Sequence, residues 1–208
     1  MKILMIDDHT VVRRGVCQLI SSRVEVEFDE ASSGQEGLQK IAHNAYDIVL
    51  LDISMPGRNG LEILKLMKAS APRLPVLILS MHPEEHYAVR ALKNGASGYI
   101  TKDCTPDELI AAVQQVAGGK KYISPNLQSL AIDALSHDST EGNLHDVLSD
   151  REFQIASLIA TGKTVGQIAE ELSLSVQTIS TYRARLLIKM NMKTNAELAT
   201  YCIRLGIV

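Results

Sequence analysis

Ile48-Val49-Leu50-Leu51-Asp52 is a run of four aliphatic residues closed by a carboxylate. An unbroken apolar run of this length, with no polar alternation, suits a strand covered on both faces, as in a parallel sheet. The same design recurs outward from it. Lys2-Ile3-Leu4-Met5-Ile6 runs directly into Asp7-Asp8, Val76–Leu79 runs into Ser80, and Gly98–Ile100 is followed two residues on by Lys102. Val24–Glu30 supplies a fifth strand. Helical patterns lie between these strands. Ser33-Gly34-Gln35-Glu36 reads as a capping box ahead of residues 37–43. Thr105-Pro106-Asp107-Glu108 combines a cap, proline at the first helical position and a glutamate three residues after the cap. Five β-α units in succession predict a doubly wound α/β domain around a five-stranded parallel sheet.

In such a sheet the ligand site lies at the carboxyl ends of the strands. Asp7, Asp8, Asp52, Ser80 and Lys102 all fall there. Three carboxylates at one edge repel one another unless a hard cation sits among them, and Mg²⁺ favours carboxylates, water and phosphate oxygens. A lysine and a hydroxyl nearby add a positive charge and a hydrogen-bond donor for a phosphoryl group. Asp52 could then attack phosphorus to give an acyl phosphate, with catalysis by positioning and charge neutralisation. Taken alone, Asp8 or His9 could equally be a helix cap.

The chain has 208 residues and a net charge of −3. Its charges are unevenly spread: residues 1–135 carry 14 basic and 16 acidic residues, residues 136–146 carry 3 acidic and none basic, and residues 147–208 carry 7 basic and 5 acidic. A weakly acidic total does not exclude a basic face. Cys17, Cys104 and Cys202 have neither metal-ligand spacing nor an even count, and read as thiols of a reducing cytosol. No apolar run reaches the roughly 18 residues of a membrane span. The opening segment lacks the form of a signal peptide, so a cytoplasmic protein is expected.

The polar, acidic stretch Ser136–Asp146 has linker composition. Beyond it only helices are predicted. Ser149-Asp150-Arg151-Glu152 caps one helix through Ala160, closed by Gly162, and Thr164-Val165-Gly166-Gln167 caps another through Leu172. A third runs from Val176 to Met190 and a fourth from Asn195 to Leu205. The second and third, joined by Ser173-Leu174-Ser175, read as a helix-turn-helix with Ile168, Ala169, Leu172, Leu174, Ile179 and Leu186 inside. No acid occurs between Glu171 and Glu197, whereas Arg183, Arg185, Lys189 and Lys193 do, a phosphate-contacting footprint. The apolar stripe Leu198, Tyr201, Cys202 and Leu205 on the fourth helix has packing inside the monomer as one reading.

Residues 1–118 resemble a response-regulator receiver domain, through Asp7-Asp8, Asp52 with Met55-Pro56-Gly57 and Gly60, Ser80, and Gly98-Tyr99-Ile100-Thr101-Lys102. The resemblance implies a flavodoxin-like fold and phosphotransfer from a sensor histidine kinase to Asp52. It implies Mg²⁺ held by Asp8, Asp52 and the Ser54 carbonyl, with Asp7 acting through water. Ser80 and Tyr99 would be the switch pair, Lys102 a phosphoryl contact, and Pro56 and Gly60 turn residues. Leu148-Ser149-Asp150-Arg151-Glu152, Gly162-Lys163-Thr164, Ile168-Ala169, Leu174-Ser175, Thr178-Ile179 and Lys189 resemble a LuxR/FixJ-type DNA-binding domain. Together the chain resembles a NarL/FixJ-type regulator of double-stranded DNA, dimeric when phosphorylated or DNA-bound. The expected organisation is a receiver over residues 1–120, a linker over 121–146 and the DNA-binding domain over 147–208. DNA contacts are expected at Ser175, Gln177, Thr178, Thr181, Tyr182, Arg183, Arg185, Lys189 and Lys193, with Gln177 and Thr181 nearest the bases. Thr181-Tyr182 departs from the Val-His of many relatives, which bears on DNA sequence preference.

Two other readings compete. A Mg²⁺-dependent phosphohydrolase would also use an aspartyl nucleophile, but Asp52 is followed by Ile53-Ser54 and lacks a second acid two residues on. A regulator working without phosphate would be expected to have lost one of Asp7, Asp8, Asp52 or Lys102. On the leading reading the chain is no enzyme beyond assisting its own phosphorylation and dephosphorylation.

Overall fold

The computed structural model describes residues 1–56, 59–128 and 144–208. Gly57 and most of the expected linker lie outside the described residues. The chain divides into two compact units, Met1–Ser136 and His137–Val208.

The first unit alternates strand and helix: β1 (Lys2–Ile6), α1 (Thr10–Ser21), β2 (Glu27–Ala31), α2 (Gly34–His43), β3 (Ile48–Leu51), α3 (Gly60–Ser70), β4 (Val76–Ser80), α4 (Glu84–Lys93), β5 (Gly98–Thr101) and α5 (Pro106–Ala117). The five strands are parallel in the order β2-β1-β3-β4-β5, a doubly wound sheet whose order reverses between β1 and β3. The apolar runs are buried on both faces, as their composition demands. Ile3, Met5, Ile48, Leu50, Leu77, Leu79 and Ile100 pack with Ile20 of α1 and with Leu109, Ala112, Val113 and Val116 of α5. The alternate residues Leu4, Ile6, Val49, Leu51, Ile78 and Tyr99 are equally buried.

Local differences from the sequence reading have physical causes. The second strand begins at Glu27 rather than Val24, because the Val24 N–H still donates to Ile20 O at the end of α1 and pairing with β1 begins at Lys2 and Glu27. Helix α2 begins at Gly34, and only half of its expected capping box forms. Ser33 Oγ accepts from the Glu36 N–H, but the Glu36 carboxylate reaches back to the N–H and hydroxyl of Ser32. The box at Thr105 and Glu108 is complete. Beyond α5, residues 121–126 fasten to this unit. The Tyr122 N–H donates to Ser97 O at 2.8 Å, Ser124 Oγ donates to the carboxylate of Glu84, and Asn126 Nδ2 donates to Glu85 Oε1 at 2.9 Å.

The second unit is helical among its described residues. A 3-10 turn (Leu144–Val147) precedes α6 (Asp150–Ala160), α7 (Val165–Glu171), α8 (Val176–Lys189) and α9 (Asn195–Arg204). Complete capping boxes open α6 at Ser149 and Glu152 and α7 at Thr164 and Gln167. Gly162, at φ +85°, lets the chain leave α6 in the left-handed region. Ser173, at φ 52°, reverses the chain between α7 and α8, a conformation that costs a residue with a side chain about 1 kcal/mol. Ile168, Ala169, Leu172, Ile179 and Leu186 are buried, and Leu174 half-buried. Among the described residues no helix is long and apolar enough to cross a membrane.

Candidate functional site

Register brings the acidic residues together. Ile6 pairs with Leu51 across β1 and β3, so Asp7 and Asp52 leave adjacent strands at the same level, and the Asp52 N–H donates to Ile6 O at 2.9 Å. Ser80 pairs with Thr101, which sets Lys102 one residue past the edge, its N–H donating to Ser80 O at 2.7 Å. The Lys102 ammonium then lies 2.8 Å from Asp7 Oδ2 and 2.9 Å from Asp52 Oδ2. Asp7 and Asp52 have no exposed side-chain surface. Asp52 Oδ1 accepts the Ser54 N–H at 3.0 Å.

Burial pushes the Asp52 carboxyl above its ordinary value, against the opposing pull of Lys102 and the Ser54 N–H. Burial alone would push the Lys102 ammonium down, but Asp52 and Asp7 outweigh it and hold it above its ordinary value. One cation thus neutralises only part of a buried anionic cluster. One ligand atom from each of Asp7, Asp8, His9 and Asp52 lies within 4.8 Å of the others, and Asp8 Oδ1 is shut off from solvent. Three carboxylates with a sheltered oxygen among them fit a hard divalent cation.

Ser80 and Tyr99 meet at one backbone residue. The His82 N–H donates to Ser80 Oγ at 3.0 Å, and the Tyr99 hydroxyl donates to His82 O at 2.8 Å. Tyr99 is wholly buried, and that burial pushes its phenol far above the ordinary range. The His82 ring stacks on Tyr87 with centroids 4.3 Å apart. The loop after Asp52 closes tightly. A Cβ on Gly60 would stand 2.4 Å from Ile53 Cα and 2.5 Å from Asp52 O, so this glycine serves close backbone approach, where the resemblance implied a turn. Pro56 lies exposed in the same loop.

Sequence reasoning missed two supports. Arg13 is nearly buried. Its guanidinium donates to Asp7 O and Glu30 Oε2, each at 2.6 Å. Buried Asn59 caps α3 by accepting the Leu61 N–H at 2.8 Å. The signal for Asn59 was present as an asparagine just before a helical run, whereas that for Arg13 was not. His9 occupies the cap position of α1, but its side chain caps nothing.

In the second unit Gln177, Thr178, Thr181, Tyr182 and Arg185 line one continuous depression along α8. Ser175 caps that helix, accepting the Thr178 N–H at 3.0 Å. The Thr181 hydroxyl donates back to Gln177 O at 2.9 Å. Arg185 is exposed and makes no hydrogen bond or ion pair among the described residues. Two other expected contacts are engaged within the domain: Arg183 Nε donates to Asn195 Oδ1 at 2.6 Å, and Lys189 Nζ lies 2.7 Å from Glu152 Oε2. Lys193 is exposed just ahead of α9.

Comparison with known proteins agrees across both units. The family model of the response regulator receiver domain matches residues 3–114, and that of bacterial regulatory proteins, luxR family, matches residues 146–202. The response regulator UvrY of Escherichia coli (strain K12) is 33% identical over 207 residues, covering 99% of this chain and 94% of UvrY. The oxygen regulatory protein NreC of Staphylococcus carnosus (strain TM300) is 36% identical over 211 residues, covering 98% of this chain and 97% of NreC. The crystal structure of a LuxR-family two-component response regulator from Aurantimonas sp. SI85-9A1 is 30% identical with a TM-score of 0.62, covering 65% of this chain and 98% of that one.

Proposed function

The chain belongs to the response-regulator family, as a receiver domain joined to a LuxR-type DNA-binding domain, and we propose that Asp52 is its phosphoacceptor and that phosphorylation there by a sensor histidine kinase controls DNA binding by α8. The observation that carries this reading is the Lys102 ammonium set between Asp7 and Asp52 at 2.8 and 2.9 Å, beside a cluster able to hold a cation.

The residues divide the work. Asp52 presents its carboxylate at the sheet edge, with Oδ1 oriented by the Ser54 N–H. Lys102 is the protein's own counter-charge for a phosphoryl group on Asp52. Asp7, Asp8, Asp52 and the Ser54 carbonyl would hold Mg²⁺, which when bound supplies positive charge against phosphoryl oxygens. Ser80 offers its hydroxyl to the modified carboxylate. Because the His82 N–H is bonded to Ser80 and the His82 carbonyl to Tyr99, movement of Ser80 is felt by both the β4–α4 loop and the Tyr99 ring.

On the DNA side, Gln177 and Thr181 face bases from the first turns of α8. Ser175, Thr178, Tyr182 and Arg185 flank them, and Arg183, Lys189 and Lys193 contribute positive potential toward phosphates. We place the receiver over residues 1–120, the linker over 121–146 and the DNA-binding domain over 147–208. The protein works in the cytoplasm and pairs as a homodimer on DNA, and its own chemistry is confined to gain and loss of the Asp52 phosphoryl group.

The test is titration of the full chain against DNA, with and without acetyl phosphate and Mg²⁺. Tighter binding on phosphorylation in wild type, absent in Asp52→Asn, is the expected result. Equal tightening in Asp52→Asn contradicts it.

A further inference from the structure

The acidic cluster contains one atom that a Mg²⁺ site does not require. His9 Nδ1 lies 3.0 Å from Asp8 Oδ1 and 3.5 Å from Asp7 Oδ1. The His9 N–H donates to Asp7 Oδ1 at 2.7 Å, which ties its backbone to the cluster. The ring stays at the open mouth, 62% exposed. Asp8 Oδ1 is itself closed off from solvent. A 3.0 Å separation suits an ion pair and equally suits two adjacent ligands of one ion.

The spacings fit a six-coordinate ion. Ligands about 2.1 Å from an octahedral ion are about 3.0 Å apart in adjacent positions and about 4.2 Å apart in opposite ones. The observed 3.0 and 3.5 Å, within a cluster no wider than 4.8 Å, lie near that scale. Imidazole is a common ligand of first-row transition ions, whereas Mg²⁺ prefers oxygen.

We propose that His9 is a metal ligand of this receiver and biases its site from Mg²⁺ toward Mn²⁺ and later transition ions. The proposal rests on the reading of Asp7, Asp8 and Asp52 as a metal site. With Mg²⁺ the ring stands aside and the oxygens alone hold the ion. With Mn²⁺ the Nδ1 lone pair takes a position otherwise filled by water.

The test is electron spin-echo spectroscopy of the untagged full chain loaded with Mn²⁺, alongside Mn²⁺ and Mg²⁺ binding titrations, for wild type, His9→Ala and Asp52→Asn. Wild type should show ¹⁴N coupling to Mn²⁺. His9→Ala should lose it and bind Mn²⁺ roughly tenfold more weakly, the lower end of what losing a metal-site partner costs, while its Mg²⁺ affinity stays nearly unchanged. Wild-type Mn²⁺ without nitrogen coupling, or coupling that survives in His9→Ala, overturns the role of His9 and leaves the carboxylate site intact. Full-strength Mn²⁺ binding by Asp52→Asn overturns the site and the proposal together.

Discussion

Lys189 of α8 is paired with Glu152 of α6, Nζ to Oε2, at 2.7 Å. The Glu152 carboxylate is 4% exposed and also accepts the Ser149 N–H, so this ion pair ties α8 to the capping box that opens α6. Burial would raise the Glu152 carboxyl, but Lys189 and the Ser149 groups outweigh it and hold it below its ordinary value. A depressed carboxyl stabilises the fold above the ordinary carboxylate range and loses that contribution as pH falls through its folded value. Lys189→Ala should therefore destabilise the DNA-binding domain by about 1–2 kcal/mol at neutral pH, a figure reduced for the half-exposed ammonium. Thermal melts of wild type and variant should converge in acid. A variant as stable as wild type at neutral pH contradicts the structural role.

Arg185 is the contrasting case, exposed and without a hydrogen bond or ion pair among the described residues. Arg185→Ala should leave the melting temperature unchanged. It should weaken DNA binding across sequences and lower the salt slope of log K by about 1, as expected for one phosphate contact. An unchanged slope with lost sequence preference would move Arg185 from the backbone to the bases.

Asp52 is raised by burial, and the sign of its effect follows. Its folded form holds the proton longer than its unfolded form, so stability falls as pH rises from the ordinary carboxylate value to the folded one, and the deficit persists above. Asp52→Asn removes that deficit. Without divalent cation the variant should be more stable at neutral pH, read as a higher melting temperature. Added Mg²⁺ should raise the wild-type melting temperature more than that of the variant. A less stable metal-free variant contradicts this electrostatic account.

Gly60→Ala forces a methyl against Asp52 O and Ile53 Cα, neither of which is the movable end of a side chain. The expected cost is about 1–3 kcal/mol, with the Asp52 loop displaced. Phosphorylation by acetyl phosphate should slow even where the variant remains folded, as judged by circular dichroism. Wild-type labelling kinetics in the folded variant would show that the close approach does not position Asp52.

The strand ends were legible because burial on both faces leaves long apolar runs, and Asp7, Asp52, Ser80 and Lys102 sit within two residues of where those runs stop. β2 was less so. It is an edge strand of Glu27, Asp29 and Glu30 around Phe28, and only pairing with β1 decides where it begins. Arg13 was invisible because its partners, Asp7 O and Glu30, meet it only once α1 packs beside two strands. Lys189 looked free because its partner is 37 residues away and looked like an ordinary cap. Capping and strand order are local or periodic signals, whereas side-chain partners between elements depend on the finished fold.

The most direct measurement is phosphorylation of the full chain by acetyl phosphate with Mg²⁺, with the modified residue mapped by mass spectrometry after borohydride reduction of the acyl phosphate. The account predicts a single labelled residue, Asp52, and no labelling in Asp52→Asn. Labelling at another residue, or undiminished labelling of Asp52→Asn, would contradict it.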